Sequence, residues 1–582
     1  MARFCESEVM PLLFDSFLRS CNVCVSYLSI LLLFVISIGV QAQDLSSKSE
    51  TSTTNATKPA RARPAKLKLT PEQEKALRLL DDAQASAPGL QPGMQAFVLF
   101  QVANTYEKFN KPKSRDLLQQ AFLASLSMDD DPDHCTVGPA CVKSWMQKQI
   151  LGAILKDQPG DAEKLMVRAE TPVRNAITGE LVQKYVEAKN FSHAEDLLTQ
   201  IADQPGYPYA VATTLILGFP KDQSAECQRV FSQAFANFNQ YGTTGIIGTQ
   251  DFGSLILQTF KRLPPPLVLE AIDKMLDEAK SNEGMKNLHM TLGSKSNDAS
   301  LNSLYEVRLF QLLPVLEQLD SSKAESLLRD NVQVKNDLKT IPDGMGAFEP
   351  GYNGGKGESP SGIGISFGGD SNNSQFQARM EAQAQMARRQ DAIENEASEN
   401  PQQAIAEAMA LPISGLGPFD SPRGRTLAAI AANQVKKNPT AAKAALDELM
   451  KLADQLTYDQ VQPLIHVPKL YLDLGDPEDA KSAIKMLSKK AEAAYAKDND
   501  ADDPNQAFKG AWPSTNLWQE CVKTAGKISP QLVQDILADI PDADIVGFEK
   551  VVYAKTLLGI DIGYSVSVQH KNGSNFSQDF GK

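Results

Sequence analysis

Residues Gly364-Ile365-Ser366-Phe367-Gly368 match the spacing of a nucleophile elbow, in which a serine on a sharp strand-to-helix turn attacks a carbonyl beside an oxyanion hole. That chemistry needs an alternating βα pattern on both sides. Here Ser359-Pro360-Ser361-Gly362 precede the motif and Gly369-Asp370-Ser371-Asn372-Asn373 follow it, so the stretch reads as a glycine-rich linker. Gly362 and Gly364 offer no phosphate cradle either, because no helix N-terminus is there to receive a pyrophosphate. Asp251-Phe252-Gly253 copies a kinase tripeptide without its companion motifs and reads as the start of a helix.

Metal chemistry fares no better. The five histidines, His134, His193, His289, His466 and His570, are not paired at ligand spacing, and no H-E-x-x-H segment occurs. His134 lies beside Cys135 and near Asp129, Asp130, Asp131 and Asp133, a local cluster with metal character. Asp129, Asp131 and Asp133, like Asp498, Asp500 and Asp502, imitate the opening of a calcium loop, but His134 and Asp503 stand where that loop needs glycine. These runs read as solvated acidic loops. No catalytic, cofactor-binding or metal-ligating residue is assigned, and no cofactor is expected.

The chain has 582 residues, 42% of them hydrophobic and 22% charged, enough for several domains or one extended array. Its net charge of −13 argues against a nucleic-acid partner, since Lys and Arg neutralising phosphates supply most of that affinity. Residues 23–40 are dominated by apolar side chains and end in Val40-Gln41-Ala42, which predicts a signal peptide over 1–42 cleaved after Ala42. The alternative is an uncleaved anchor, the one route to membrane contact, since about 18 apolar residues just span a bilayer. Export to a bacterial periplasm or the cell exterior makes disulfides permissible. Cys135 and Cys141, flanking Thr-Val-Gly-Pro-Ala, are expected to be bonded, and Cys227 and Cys521 to be buried free thiols.

The elements around these residues read as helices joined by short turns. Residues 43–69, locally +4 and poor in large apolar side chains, read as a disordered linker. Thr70, Pro71 and Gln73 signal the first helix as N-cap, first helical residue and capping-box partner. Helical patterns follow to about Leu338, joined by turns such as Ala87-Pro88-Gly89 and Asn110-Lys111-Pro112. Between Asp343 and Gln375 ten glycines interrupt the pattern. The expected organisation is an all-α helical-hairpin solenoid in two parts, 70–340 and 376–559, separated by a glycine-rich linker over 341–375. Beyond Leu558, Ile562, Tyr564, Val566 and Val568 alternate with polar or small residues, so 560–582 reads as a short β-strand or hairpin turning at Asn572-Gly573. Trp512 and Trp518 are expected to anchor a small core.

Two hinges share a spacing. Tyr185 precedes Lys189-Asn190-Phe191 and then Ala194; Tyr471 precedes Gly475-Asp476-Pro477 and then Ala480. These hinges resemble the tetratricopeptide repeat, where a tyrosine late in one helix precedes by nine positions an alanine at the close approach of the next. Tyr106, with Pro112 and Arg115, is a weaker third copy. The family's Trp, Leu-Gly and terminal Pro positions do not recur in a regular register, so the resemblance is to a degenerate repeat array over about half the chain. It implies a surface that binds a protein or peptide in a helical groove; with the predicted signal peptide, the expected function is an exported, non-catalytic interaction or scaffold protein. The competing expectations are a cell-envelope polymer hydrolase or lyase with a site assembled between helices, and a membrane-tethered structural stalk.

Overall fold

The computed structural model describes residues 69–128, 142–242, 251–282, 288–293, 298–348, 362–367, 374–415, 421–457, 460–499, 508–561, 564–569 and 575–580. Among them are 23 α-helices, which pack as an all-α helical-hairpin solenoid with two small sheets. They divide into two compact units, one of residues 147–373 and one of residues 69–146 together with 374–580.

In the discontinuous unit, one layer is formed by α15 (Ser374–Glu396), α17 (Pro422–Gln434), α19 (Val467–Asp473), α21 (Pro513–Ile528) and α23 (Ala543–Leu557). Between them run α16 (Pro401–Met409), α18 (Pro439–Leu452), α20 (Pro477–Asp498) and α22 (Pro530–Asp539). Each layer helix packs on its hairpin partner and on the next layer helix, the contact pattern of a solenoid. The partner helices start alike. Proline occupies the first position after Asn400, Asn438, Asp476 or Ser529, where its missing N–H costs nothing. In three of the four the preceding side chain caps an amide: Asn438 accepts from Ala441, Asp476 from Asp479 and Ser529 from Leu532.

The array does not stop at α23. The first helices of the chain, α1 (Pro71–Ser86), α2 (Pro92–Tyr106) and α3 (Lys111–Leu126), continue it: α1 packs on α23 as its hairpin partner, and α2 packs on α23 as the next layer helix. One hairpin is thus built from the two ends of the described chain. The expected N-terminal part, 70–340, is corrected accordingly, because residues 69–146 share a core with the last helices. Lys75 Nζ donates to Tyr553 Oη at 2.9 Å, the Gln91 amide donates to Asp544 Oδ1 at 2.9 Å, and buried Lys555 bonds to Gln101. An aromatic group of Phe97, Trp145, Phe508 and Phe548 fills the same seam, with Phe97 and Phe548 centroids 5.0 Å apart.

The chain enters the second unit within α4 (Val142–Asp157) and forms α5 (Pro159–Met166), α6 (Thr171–Glu187), α7 (Phe191–Thr199), α8 (Tyr209–Gly218), α9 (Ser224–Tyr241), α10 (Phe252–Thr259) and α11 (Pro265–Ser281). After α12 (Leu304–Leu319), a break at Asn331 separates α13 (Ser321–Asp330) from α14 (Val332–Thr340). Helix α8 carries no periodic signal in the sequence, for a physical reason. Its sequence, YAVATTLILG, is apolar nearly throughout and shows no 3.6-residue stripe; it packs against α6, α7, α9 and α10. Phe252, at the start of α10, has Tyr209, Phe231, Phe235 and Phe238 around it at centroid distances of 5.0–5.8 Å.

The glycine-rich segment is corrected as well. Gly344–Phe348 form a 3₁₀ turn, and Gly362–Phe367 form strand β3. β3 pairs antiparallel with β1 (Leu288–Gly293), which also pairs with β2 (Asp298–Leu301), giving the order β2-β1-β3. In β3, Ile363, Ile365 and Phe367 alternate with Gly362, Gly364 and Ser366, but so short a run inside a glycine-rich stretch reads as linker until β1 is there to pair with it. At the C-terminus β4 (Tyr564–Gln569) and β5 (Asn575–Phe580) make an antiparallel hairpin, Tyr564 opposite Phe580; Asn572-Gly573 lies outside the described residues.

Candidate functional site

Tyr185 ends α6 and Ala194 lies fully buried in α7; Tyr471 lies in α19 and Ala480 fully buried in α20. Each hinge turns through one left-handed residue, Lys189 at φ 58° in the first and Gly475 at φ 78° in the second. Three hinges also share a chemistry that the spacing did not disclose. The Tyr471 hydroxyl donates to Asp447 at 2.8 Å, Tyr185 donates to Glu163 at 3.1 Å, and Tyr106 donates to Asp81. In every case the carboxylate comes from the preceding helix or turn. Each tyrosine's pKa is pushed above its ordinary value, by burial first and then by that carboxylate. A basic side chain completes the group: Lys113 and Lys443 lie 4.3 and 5.4 Å from the Tyr106 and Tyr471 ring centroids, and His193 meets Tyr185 edge-on at 4.4 Å. These hinges hold helices at fixed separation. Ala480→Leu is expected to destabilise by about 1–3 kcal/mol, read by denaturant unfolding, because the new side chain must enter a filled contact.

Between α17 and the segment leading into α19 lies a recess of about 580 Å³. Arg425, Ala428, Ala429 and Ala432 contribute from α17 at the i, i+3, i+4, i+7 spacing of one helix face, and Gln462, His466, Lys469 and Leu470 face them. The two walls approach closely at Gly424, where a Cβ would come within 3.1 Å of the Pro463 ring and 3.0 Å of Ser421 Oγ. Pro463 and Pro468 also shape the second wall, which is a 3₁₀ turn, Gln462–Leu464, followed by α19. Among the described residues no carboxylate lines this recess. A second recess of the same volume between α1 and α3 carries both signs, with Asp81 paired to Lys113.

Ionisable groups cluster inside the discontinuous unit away from the recess. Lys509 bonds to Asp542 and Asp544, each at 2.6 Å, and these carboxylates are 8% exposed. Burial penalises the Lys509 ammonium, yet the bonds to Asp542 and Asp544 outweigh it and raise its pKa. Lys555 is driven the other way, down to about 8, by burial and then by neighbouring Lys523. Glu549 on α23 is fully buried with no hydrogen-bond partner for either oxygen. Burial raises its pKa well above the ordinary value; Lys523 opposes this and Glu520 adds to it. The folded chain therefore holds a proton that the unfolded chain releases. The stability this carboxyl contributes is complete below about pH 4.3 and is lost as pH rises toward the raised value. Glu549→Gln is expected to increase stability by on the order of 1–3 kcal/mol at pH 8 and much less at pH 4. A loss of stability at pH 8 in urea titrations contradicts the assignment.

The catalytic-looking motifs fall into structural places. Ser366 sits inside the β1/β3 ladder opposite His289, not on a turn beyond a strand end. Asp251 caps α10 and pairs with the buried guanidinium of Arg308. Trp512 and Trp518 are buried on either side of Tyr495, with centroids 5.9 and 5.8 Å away. Cys227 and Cys521 are free and buried. Among the described residues no three His, Cys, Asp or Glu side chains gather as they would around a metal ion. Cys135, Cys141, His134 and His570 lie outside the described residues. The recess itself went unread: Arg425, Ala428, Ala429 and Ala432 follow helical spacing, but which helix faces them is a tertiary fact.

No family model and no curated protein matches the chain. Among solved structures it is similar to the crystal structure of Ton1535 from Thermococcus onnurineus NA1, at 11% identity and a TM-score of 0.16, covering 82% of this chain and 98% of that one. A circular tandem repeat protein with novel repeat topology and enhanced subunit contact surfaces aligns at 11% identity and a TM-score of 0.17, covering 84% and 98%. The Naa15/Naa10 complex bound to HypK-THB aligns at 10% identity and a TM-score of 0.20, covering 84% and 79%. The solenoid assignment rests on the helix packing of this chain, not on these overlaps.

Proposed function

We propose that this chain is an exported, non-catalytic, tetratricopeptide-like interaction protein that binds a protein or peptide segment in the α17/α19 recess. The observation that carries the reading is the recess itself. It is about 580 Å³, is floored by three alanines that let a partner backbone approach closely, and is walled by side chains from two adjacent layer helices. A photo-crosslinking amino acid at Ala432, on the recess floor, is expected to give discrete adducts in intact cells, while one at exposed Lys485 on α20 gives none. Equal labelling from both positions, or none from Ala432, counts against the reading. Export is supported by the apolar run over 23–40 and the Val40-Gln41-Ala42 pattern. N-terminal sequencing of the exported chain is expected to begin at Gln43; a start upstream of Val23 favours the tethered stalk.

A further inference from the structure

The chain carries a net charge of −13, yet the lining of the α17/α19 recess includes Arg425 and Lys469 and, among the described residues, no carboxylate. Chance placement in an acidic protein favours the opposite. We infer that the recess takes an acidic peptide segment, an inference that rests on the binding function proposed above.

The geometry divides the work between floor and walls. Ala428, Ala429 and Ala432 leave room for a peptide main chain and its small side chains, and Leu470 adds apolar contact. Arg425, one turn before the alanines, presents a planar fork that fits a carboxylate bidentately, and Lys469 on the facing wall is a point charge. His466, exposed between them in sequence position on the second wall, supplies a ring nitrogen for a further hydrogen bond. The charges already have neighbours in the fold. Lys469 bonds to Asp473 one turn on at 2.7 Å, with side chains 49% and 41% exposed, and Arg425 acts on the carboxyl of Glu394. An exposed i,i+4 pair is worth only a few tenths of a kcal/mol, so a ligand carboxylate can replace Asp473 on Lys469 at little cost. Neither Asp473 nor Glu394 lines the recess.

The test is a selection of random twelve-residue peptides against the full-length exported chain, followed by fluorescence anisotropy of the enriched sequences and of copies with Asp and Glu changed to Asn and Gln. Acidic sequences are expected to be enriched, and their amide copies to bind at least tenfold more weakly. The Arg425→Gln, Lys469→Gln double variant, which alters exposed side chains, should lose a similar factor with an unchanged unfolding midpoint. Filling the floor with Ala429→Phe should remove binding altogether. Enriched peptides that are neutral or basic, but still blocked by Ala429→Phe, overturn the acidic preference and leave the recess as the binding site. Peptides indifferent to both Ala429→Phe and the charge variants overturn the binding reading together with this inference.

Discussion

Lys509→Ala is expected to cost about 3–5 kcal/mol of stability, because it leaves the buried carboxylates of Asp542 and Asp544 without their shared cation. The consequence spreads beyond one ion pair. Asp542 Oδ1 caps α23 by accepting from the Asp544 amide at 2.9 Å, and Asp544 Oδ1 accepts from the Gln91 amide that leads into α2. Hydrogen exchange in the variant should therefore accelerate in α1, α2 and α23 before it does in α17 and α18. The raised pKa of Lys509 fixes the pH window: its contribution is complete below the ordinary lysine value of about 10.4 and is lost as pH rises through the higher folded value. The gap between wild type and variant should accordingly hold steady from neutral pH to about pH 10 and narrow above it. A loss below about 1 kcal/mol, with exchange in α1 and α2 unaltered, would mean that this triad does not secure the hairpin joining the chain's ends.

Phe252→Ala is expected to cost a comparable 3–5 kcal/mol in the other unit. Phe252 is 1% exposed, and four aromatic rings converge on it from α8, its preceding helix neighbour in the layer, and from α9. Truncation removes ring contacts with Tyr209, Phe231, Phe235 and Phe238 at once and opens a cavity between three helices. Phe252→Leu keeps most of the volume and should lose about 1–1.5 kcal/mol. Guanidinium unfolding monitored by circular dichroism distinguishes the two. Equal small losses for alanine and leucine would show that the surrounding rings collapse into the space and that Phe252 is not the centre of the cluster.

Helix starts were legible because their signals are local. The Thr70 box with Gln73 forms as its residues imply, with the Gln73 amide donating to Thr70 at 3.2 Å and the Thr70 amide donating to Gln73 at 3.0 Å. The prolines at 401, 439, 477 and 530 mark hairpin partners for the same reason. Helix α8 was not legible, since its exposed side carries Leu217 and Gly218 beside Thr214 and so lacks the polar face that periodicity needs. Nor was β3, whose glycines predict a linker until β1 supplies a strand for it to pair with. The candidate recess was half legible. The alanine face of α17 has helical spacing, but Gln462, His466 and Lys469 face it through the close approach at Gly424 and Pro463.

By itself the amino-acid sequence determined a chain of short helical hairpins, where the capped and proline-led helices begin, and an acidic composition that disfavours nucleic acid. Capping, proline placement and turn chemistry act over three or four residues, so they survive in any order of assembly. Tertiary structure alone decided that α1 and α2 pack on α23, so that α3 and α5, on either side of α4, belong to different units. Apolar hairpin faces attract without direction, and one such face looks much like another along the chain. Choosing among them takes specific buried contacts between residues hundreds of positions apart, such as Asp544 with Gln91 and Tyr553 with Lys75, and no local pattern encodes those.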